Sequence, residues 1–120
     1  MLKNILLTGV FNGQNIVVKS VVSYLQVRTY FGPQVVVDIH GSVVELLKIR
    51  VTRQENNIVI EGDGSIPGLE KMTVQGYQFA NKEKIAIRVL LPSGGRVELA
   101  STFSGNTDIA DGIRVAREIE

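Results

Sequence analysis

Apolar and polar residues alternate along most of this chain with a period of two. Leu25, Val27 and Thr29 share one phase, with Gln26 and Arg28 in the other. Val35, Val37 and Ile39 alternate with Val36, Asp38 and His40, and Leu47, Ile49 and Val51 with Lys48, Arg50 and Thr52. Ile58 and Ile60 alternate with Val59 and Glu61. Ile85, Ile87, Val89 and Leu91 alternate with Lys84, Ala86, Arg88 and Leu90, and Val97 and Leu99 follow. In a strand, successive side chains point to opposite faces, so this pattern predicts half-buried strands. Turn formers punctuate it at Asn12-Gly13, Gly32-Pro33, Glu55-Asn56-Asn57, Asp63-Gly64, Pro67-Gly68, Asn81-Lys82 and Ser93-Gly94-Gly95.

Short strands at a spacing of roughly ten to twelve residues point to a sandwich, a barrel or a solenoid. Ser42 to Leu47 fit one helical turn, with Ser42 as N-cap and Glu45 completing a capping box. The last segment fits two patterns. Ile109, Ile113 and Ala116 have helical spacing; Ile113, Val115 and Ile119 have strand spacing after the break at Gly112. Strand is the preferred reading. No composition shift marks a boundary, so residues 1–120 are expected to form a single β domain.

Two stretches resemble the bacterial putative-adhesin family of head-domain type. The first runs from Pro33 through Val35-Val36-Val37-Asp38-Ile39-His40-Gly41 to Val51, and continues over Glu55–Gly62. It is similar to that family's succession of strand, short helical turn, strand, tight turn and strand. The second runs from Lys84 to Leu99 and on through Ala100-Ser101-Thr102-Phe103-Ser104-Gly105 to Ile109. It resembles the family's strand, Pro, short turn, strand, Ser-Gly, strand signature. Together the two lie within residues 15 to 110. The resemblance implies an all-β domain whose strands stack as a β-solenoid, like a right-handed β-helix. A sandwich or barrel with a C-terminal helix is the alternative. It implies no catalytic set. A solenoid that stops shortly after Ser104-Gly105 would also expose an unpaired strand edge.

Composition narrows the function. Of 120 residues, 44% are hydrophobic, enough for a folded core without staples. There is no cysteine, which removes disulfides, thiolate catalysis and thiolate-bound zinc. Thirteen basic residues against twelve acidic ones leave a net charge of +1, so no long-range field favours a polyanion. No stretch approaches the roughly 18 apolar residues of a spanning helix, and membrane insertion is not expected. The apolar run at Ile5–Leu7 is too short for an export signal. By default that points to the cytoplasm, or to the cell surface if the sequence is a trimmed piece.

Candidate chemistry is sparse. His40 is the sole histidine and shares a strand phase with Asp38, with Glu45 nearby; a surface pair beside a turn is preferred over an acid–base pair. No Gly-x-Ser-x-Gly elbow is present. Glu61-Gly62-Asp63-Gly64-Ser65 offers too few carboxylates for calcium and reads as a turn. Asp108 and Asp111 likewise suit turn or cap roles. Neither Gly62-Asp63-Gly64 nor Gly94-Gly95-Arg96 leads into Lys-Ser or Lys-Thr, so neither is a phosphate loop. No cofactor, metal or catalytic residue is expected.

The outward phase is more informative. It carries Arg28, Lys48, Arg50, Lys84, Arg88 and Arg96, with Tyr24 and Tyr30 in phase with Arg28. Tyr24, Arg28, Tyr30, Arg50 and Arg88 are the candidate binding residues, since a basic face with aromatics can hold single-stranded nucleic acid by charge and stacking. A solvated face whose charges discourage aggregation is the simpler reading. Val36, Val59, Ala86 and Leu90 occupy the same outward phase. Apolar residues there mark a second layer or a meeting with another subunit. The expectation is therefore a non-enzymatic structural or interaction module, self-associating or binding a protein or glycan surface. A nucleic-acid-binding module is the alternative.

Overall fold

In the computed structural model the chain folds into two mixed β-sheets that face one another and do not close into a barrel; residues 4–62, 73–74 and 85–117 are described. The strands are β1 (Asn4–Phe11), β2 (Asn15–Lys19), β3 (Tyr24–Tyr30), β4 (Val35–Ser42), β5 (Arg50–Gln54), β6 (Asn57–Glu61), β7 (Thr73–Val74), β8 (Ile85–Pro92), β9 (Arg96–Leu99), β10 (Thr107–Ile109) and β11 (Arg114–Arg117). One four-residue helical turn, α1 (Val43–Leu46), joins β4 to β5. The Glu45 amide donates to Ser42 Oγ at 3.3 Å, the N-cap expected from the sequence. The C-terminal segment is strand over Arg114–Arg117. The expected turns at Asp63-Gly64, Pro67-Gly68 and Asn81-Lys82, the Glu61–Ser65 loop beyond Gly62, Lys84 and Ile119 lie outside the described residues.

The six-stranded sheet has the order β10-β3-β8-β4-β1-β7, and the five-stranded sheet β11-β9-β2-β6-β5. Their facing sides make one core. Leu7, Leu25, Val27, Val37, Ile39, Ile87 and Val89 come from the first sheet, and Ile16, Val18, Ile58, Ile60, Val97 and Leu99 from the second; all are buried. Leu25, Val27, Val37, Ile39, Ile58, Ile60, Ile87, Val89, Val97 and Leu99 are the inward phase read from the alternation; Thr29 of that phase is exposed near the end of β3, and Leu47 is exposed in the turn after α1. Leu46 and Ile49, on either side of that turn, are buried instead and close the core at the β5 end.

Most pairings beyond the hairpin-like contacts are parallel. β2 runs parallel to both β6 and β9, and β9 to β11. β3 runs parallel to both β8 and β10. So the β2–β3 unit, near the N-terminus, lies between β6 and β8 on one side and β9 and β10 on the other. The backbone ladder continues through the corner between the sheets. Ala100 donates to Val18, Ser104 to Val21, Leu25 to Asn106 and Ala110 to Val27, at 2.9–3.1 Å. Gly62 donates to Lys19 at 3.1 Å from the opposite side. A Cβ at Gly62 or Gly105 would run into the carbonyl of Ser20 or Ser23, and Gly105 also has φ of 127°. The Ser104-Gly105 pair is thus the point at which the connection between β9 and β10 seats against the connection between β2 and β3.

Candidate functional site

The outward side of the six-stranded sheet brings charged, hydroxyl and aromatic groups from several described strands together. The register aligns Thr8, Asp38, Arg88, Gln26 and Asp108 on β1, β4, β8, β3 and β10. Thr8 Oγ1 donates to Asp38 Oδ1 at 2.8 Å. At the far end, Arg28 Nη2 donates to Asp108 Oδ2 at 2.8 Å, and Arg28 Nη1 to the Asp108 and Val27 carbonyls at 2.9 Å. The Tyr24 hydroxyl donates to the same carboxylate at 3.3 Å. The Arg28 hydrogen bond, the largest influence, holds Asp108 below the usual carboxylate range against the opposing effect of desolvation, with help from the Gln26 hydrogen bond, the Arg28 charge and the Tyr24 hydrogen bond. Asp108, expected to serve a turn or cap, instead organises three side chains of β3.

A second row aligns Val10, Val36, Leu90 and Arg28. Val10 is 53% exposed and Leu90 38%. Two of the four expected outward apolar positions, Val36 and Leu90, reach the surface at least in part; Val59 and Ala86 do not and are buried. Ala86 is a small side chain flanked in register by His40 and Tyr24, and Val59 is flanked by Val17 and Thr52. Val10 extends the stripe and lies on β1, which the sequence reading did not assign.

His40 requires correction. It shares the outward phase with Asp38, as expected, but it is 2% exposed rather than a surface residue. It stands on a central strand between Leu6 and Ala86. Burial, then the Arg88 charge, lower its pKa from the ordinary imidazole value, and Asp38 partly offsets them.

The five sequence-derived candidates do not form one patch. Tyr24, Arg28 and Tyr30 lie on β3 beside Arg88 on β8. Arg50 lies in the other sheet, opposite Glu61, which pairs with Lys19 at 3.7 Å. Tyr30 donates to the Gln34 carbonyl at 2.6 Å and so locks the turn after β3. Phase alone placed these residues outward; it could not tell which sheet Arg50 joins. Two open clefts lie elsewhere. One, of about 360 Å³, is lined by Asn12, Gln14, Pro33, Arg53, Asn56 and Pro92; the other, of about 320 Å³, by Arg96, Arg114, Val115 and Ala116. Among the described residues no three His, Asp or Glu side chains gather as metal ligands, and no helix is long and apolar enough to cross a membrane.

No protein-family model and no curated protein sequence matches the chain. Solved structures do. One is a putative adhesin from Bacteroides fragilis NCTC 9343, with a TM-score of 0.52 and 16% identity over 93% of this chain. Another is a putative adhesin from Parabacteroides merdae ATCC 43184, with a TM-score of 0.53 and 9% identity over 93% of this chain. The fold resembles that of putative adhesins. At these identities the likeness concerns fold alone. The chain spans 55% and 43% of the lengths of the two adhesin structures.

Proposed function

We propose that this domain is a non-catalytic interaction module, built as stacked β-solenoid layers, that presents the outward side of its six-stranded sheet to a partner surface, a second copy of itself first. The solenoid reading is supported by the parallel ladders β6-β2-β9-β11 and β8-β3-β10 and by the hydrogen bonds that link successive corners. The likeness to putative adhesins agrees with it.

The observation that carries the interaction reading is the in-register stripe of Val10, Val36 and Leu90 beside the row of Asp38 and Arg88. An apolar stripe rimmed by charges is the composition of a contact patch. Sedimentation of the domain and of V10D and L90D tests it. Self-association in the parent that both variants weaken by about tenfold or more supports the reading. A parent that is monomeric across the concentration range, and that binds no protein or glycan panel through this face, rejects it.

A further inference from the structure

The cleft of about 360 Å³ gathers side chains from several connections at one end of the two sheets. The β1–β2 turn gives Asn12 and Gln14, the β3–β4 turn Pro33, the β5–β6 hairpin Arg53 and Asn56, and the end of β8 Pro92. Its walls therefore come from both sheets. Arg53 is the unexpected member. The register sets Val51 beside Ile60 and Arg53 beside Ile58, so Arg53 continues the core-facing phase of β5. Alternation would place an apolar residue there; the chain places a guanidinium, exposed at the rim of the core. The ion pairs among the described residues are Lys19–Glu61 and Arg28–Asp108, so no described carboxylate neutralises Arg53.

Hydrogen bonds between the connections hold these groups in place. The Gln14 and Asn15 amides donate to the Asn56 carbonyl at 2.8 and 3.0 Å. Gln34 Nε2 donates to Asn12 Oδ1 at 2.7 Å and ties the β3–β4 turn to the β1–β2 turn. Arg53 Nε donates to the Glu55 carbonyl at 3.1 Å. The same bonds decide what the cleft offers. The Asn12 oxygen is taken, which leaves its side-chain nitrogen as a donor. Arg53 keeps both terminal nitrogens without a partner among the described residues. The side-chain amides of Gln14 and Asn56 each keep a donor and an acceptor. No carboxylate lines the cleft. It is a frame with a surplus of donors, one of them charged, built to meet an acceptor-rich anion.

We propose that this cleft binds a sugar acid of the uronic acid class, with its carboxylate on Arg53. A guanidinium fork matches a carboxylate by two parallel hydrogen bonds. Gln14 and Asn56 can both give and accept hydrogen bonds, as ring hydroxyls require. Pro33 and Pro92 add rigid apolar surface for the C–H face of the ring. The volume lies at the small end of the roughly 300–1,000 Å³ of ligand clefts, which suits one ring. Walls already tied to one another lose little freedom on binding. The site is separate from the sheet face argued above and stands or falls independently of it.

The test is an NMR titration that follows the side-chain amide signals of Asn12, Gln14 and Asn56. The probes are glucuronate, its methyl glycoside, glucose and acetate. Glucuronate should shift these signals saturably at concentrations on the order of 1–10 mM, and glucose and acetate should each bind about tenfold more weakly. Arg53→Gln should reduce glucuronate binding to the level of glucose, and Gln14→Ala should weaken glucuronate and glucose alike. Thermal melts of both variants should match the parent, since Arg53 and Gln14 are exposed. The glycoside separates two sources of the same chemistry. Binding at least as tight as that of the free acid assigns the site to a residue borne on a chain, and weaker binding to the free acid. No saturable shift of these amides overturns the proposal and leaves Arg53 as a charge that guards the β5 edge. Acetate or glucose binding as tightly as glucuronate overturns it too, as does an Arg53→Gln variant that binds glucuronate like the parent.

Discussion

Gly105 shows how a single residue decides whether two connections of this chain can lie against each other. Its positive φ is one that L side chains rarely adopt, and a Cβ there would meet the Ser23 carbonyl. Ser23 and Leu25 donate to Ser104 and Asn106 across the same corner at 3.0 and 2.9 Å. Neither backbone can retreat without losing these bonds. Gly105→Ala is expected to cost about 2 kcal/mol or more in urea unfolding; a loss within error of zero would mean that the corner is free to shift. Charged residues make a second kind of local prediction. Asp108 should titrate below the ordinary carboxylate value when followed by carboxyl NMR, and Arg28→Gln should move it back up, because the Arg28 hydrogen bond is the largest cause. Burial and the Arg88 charge shift His40 downward. Its folded pKa lies below 6.5, so the unfolded chain binds the proton more tightly. Stability should therefore be full above about pH 6.5 and fall as the pH drops from there toward the folded pKa. Melting profiles from pH 7.5 to 5 should show that decline, and His40→Gln should flatten it; a decline of equal slope in the variant would place its origin elsewhere.

At the scale of elements, what the sequence made legible follows from how local each cause is. The alternation over Val35–Ile39 and Ile85–Leu91 reports burial of one face, so the inward phase could be read without knowing any partner. The cap at Ser42 was legible because capping is a contact within three residues. The place of β2 was not, because it depends on strands some forty and eighty residues away. Nothing in Ile16-Val17-Val18 says that β6 and β9 will flank it in parallel. Nor does the phase of Arg50 say that it belongs to the second sheet, which is why five candidate binding residues do not converge. Asn15 shows the same dependence. Its Nδ2 donates to Asn57 Oδ1 at 3.1 Å, and its Oδ1 accepts from the Arg96 amide at 3.1 Å. One side-chain amide thus ties the start of β2 to the layers on both sides. Asn15→Ala should cost about 1–2 kcal/mol, two modest hydrogen bonds in a half-buried site. Asn57→Ala, which removes only one of them, should cost about half as much. Equal losses would deny Asn15 its bridging role.

For the whole molecule, the interleaving of β2 and β3 between later strands has a consequence for cooperativity. Repeat arrays in which each layer touches only its sequence neighbours open from their ends by small steps. Here β2 and β3, from residues 15–30, lie within their ladders, β2 between β6 and β9 and β3 between β8 and β10. Removing these two strands breaks both ladders at once. Ile16, Val18, Leu25 and Val27 of these strands are fully buried, as are Ile58, Ile60 and Ile87 beside them. The β11 end has the opposite character, with four exposed residues and one paired side. Native-state hydrogen exchange should therefore divide the molecule. Amides of β2, β3 and β8 should exchange only through global opening, with a single free energy, while those of Arg114–Arg117 exchange by local fraying at a lower one. Equal protection of β11 and β2 would show that β11 does not fray on its own and that its pairing with β9 is held as firmly as the core ladders.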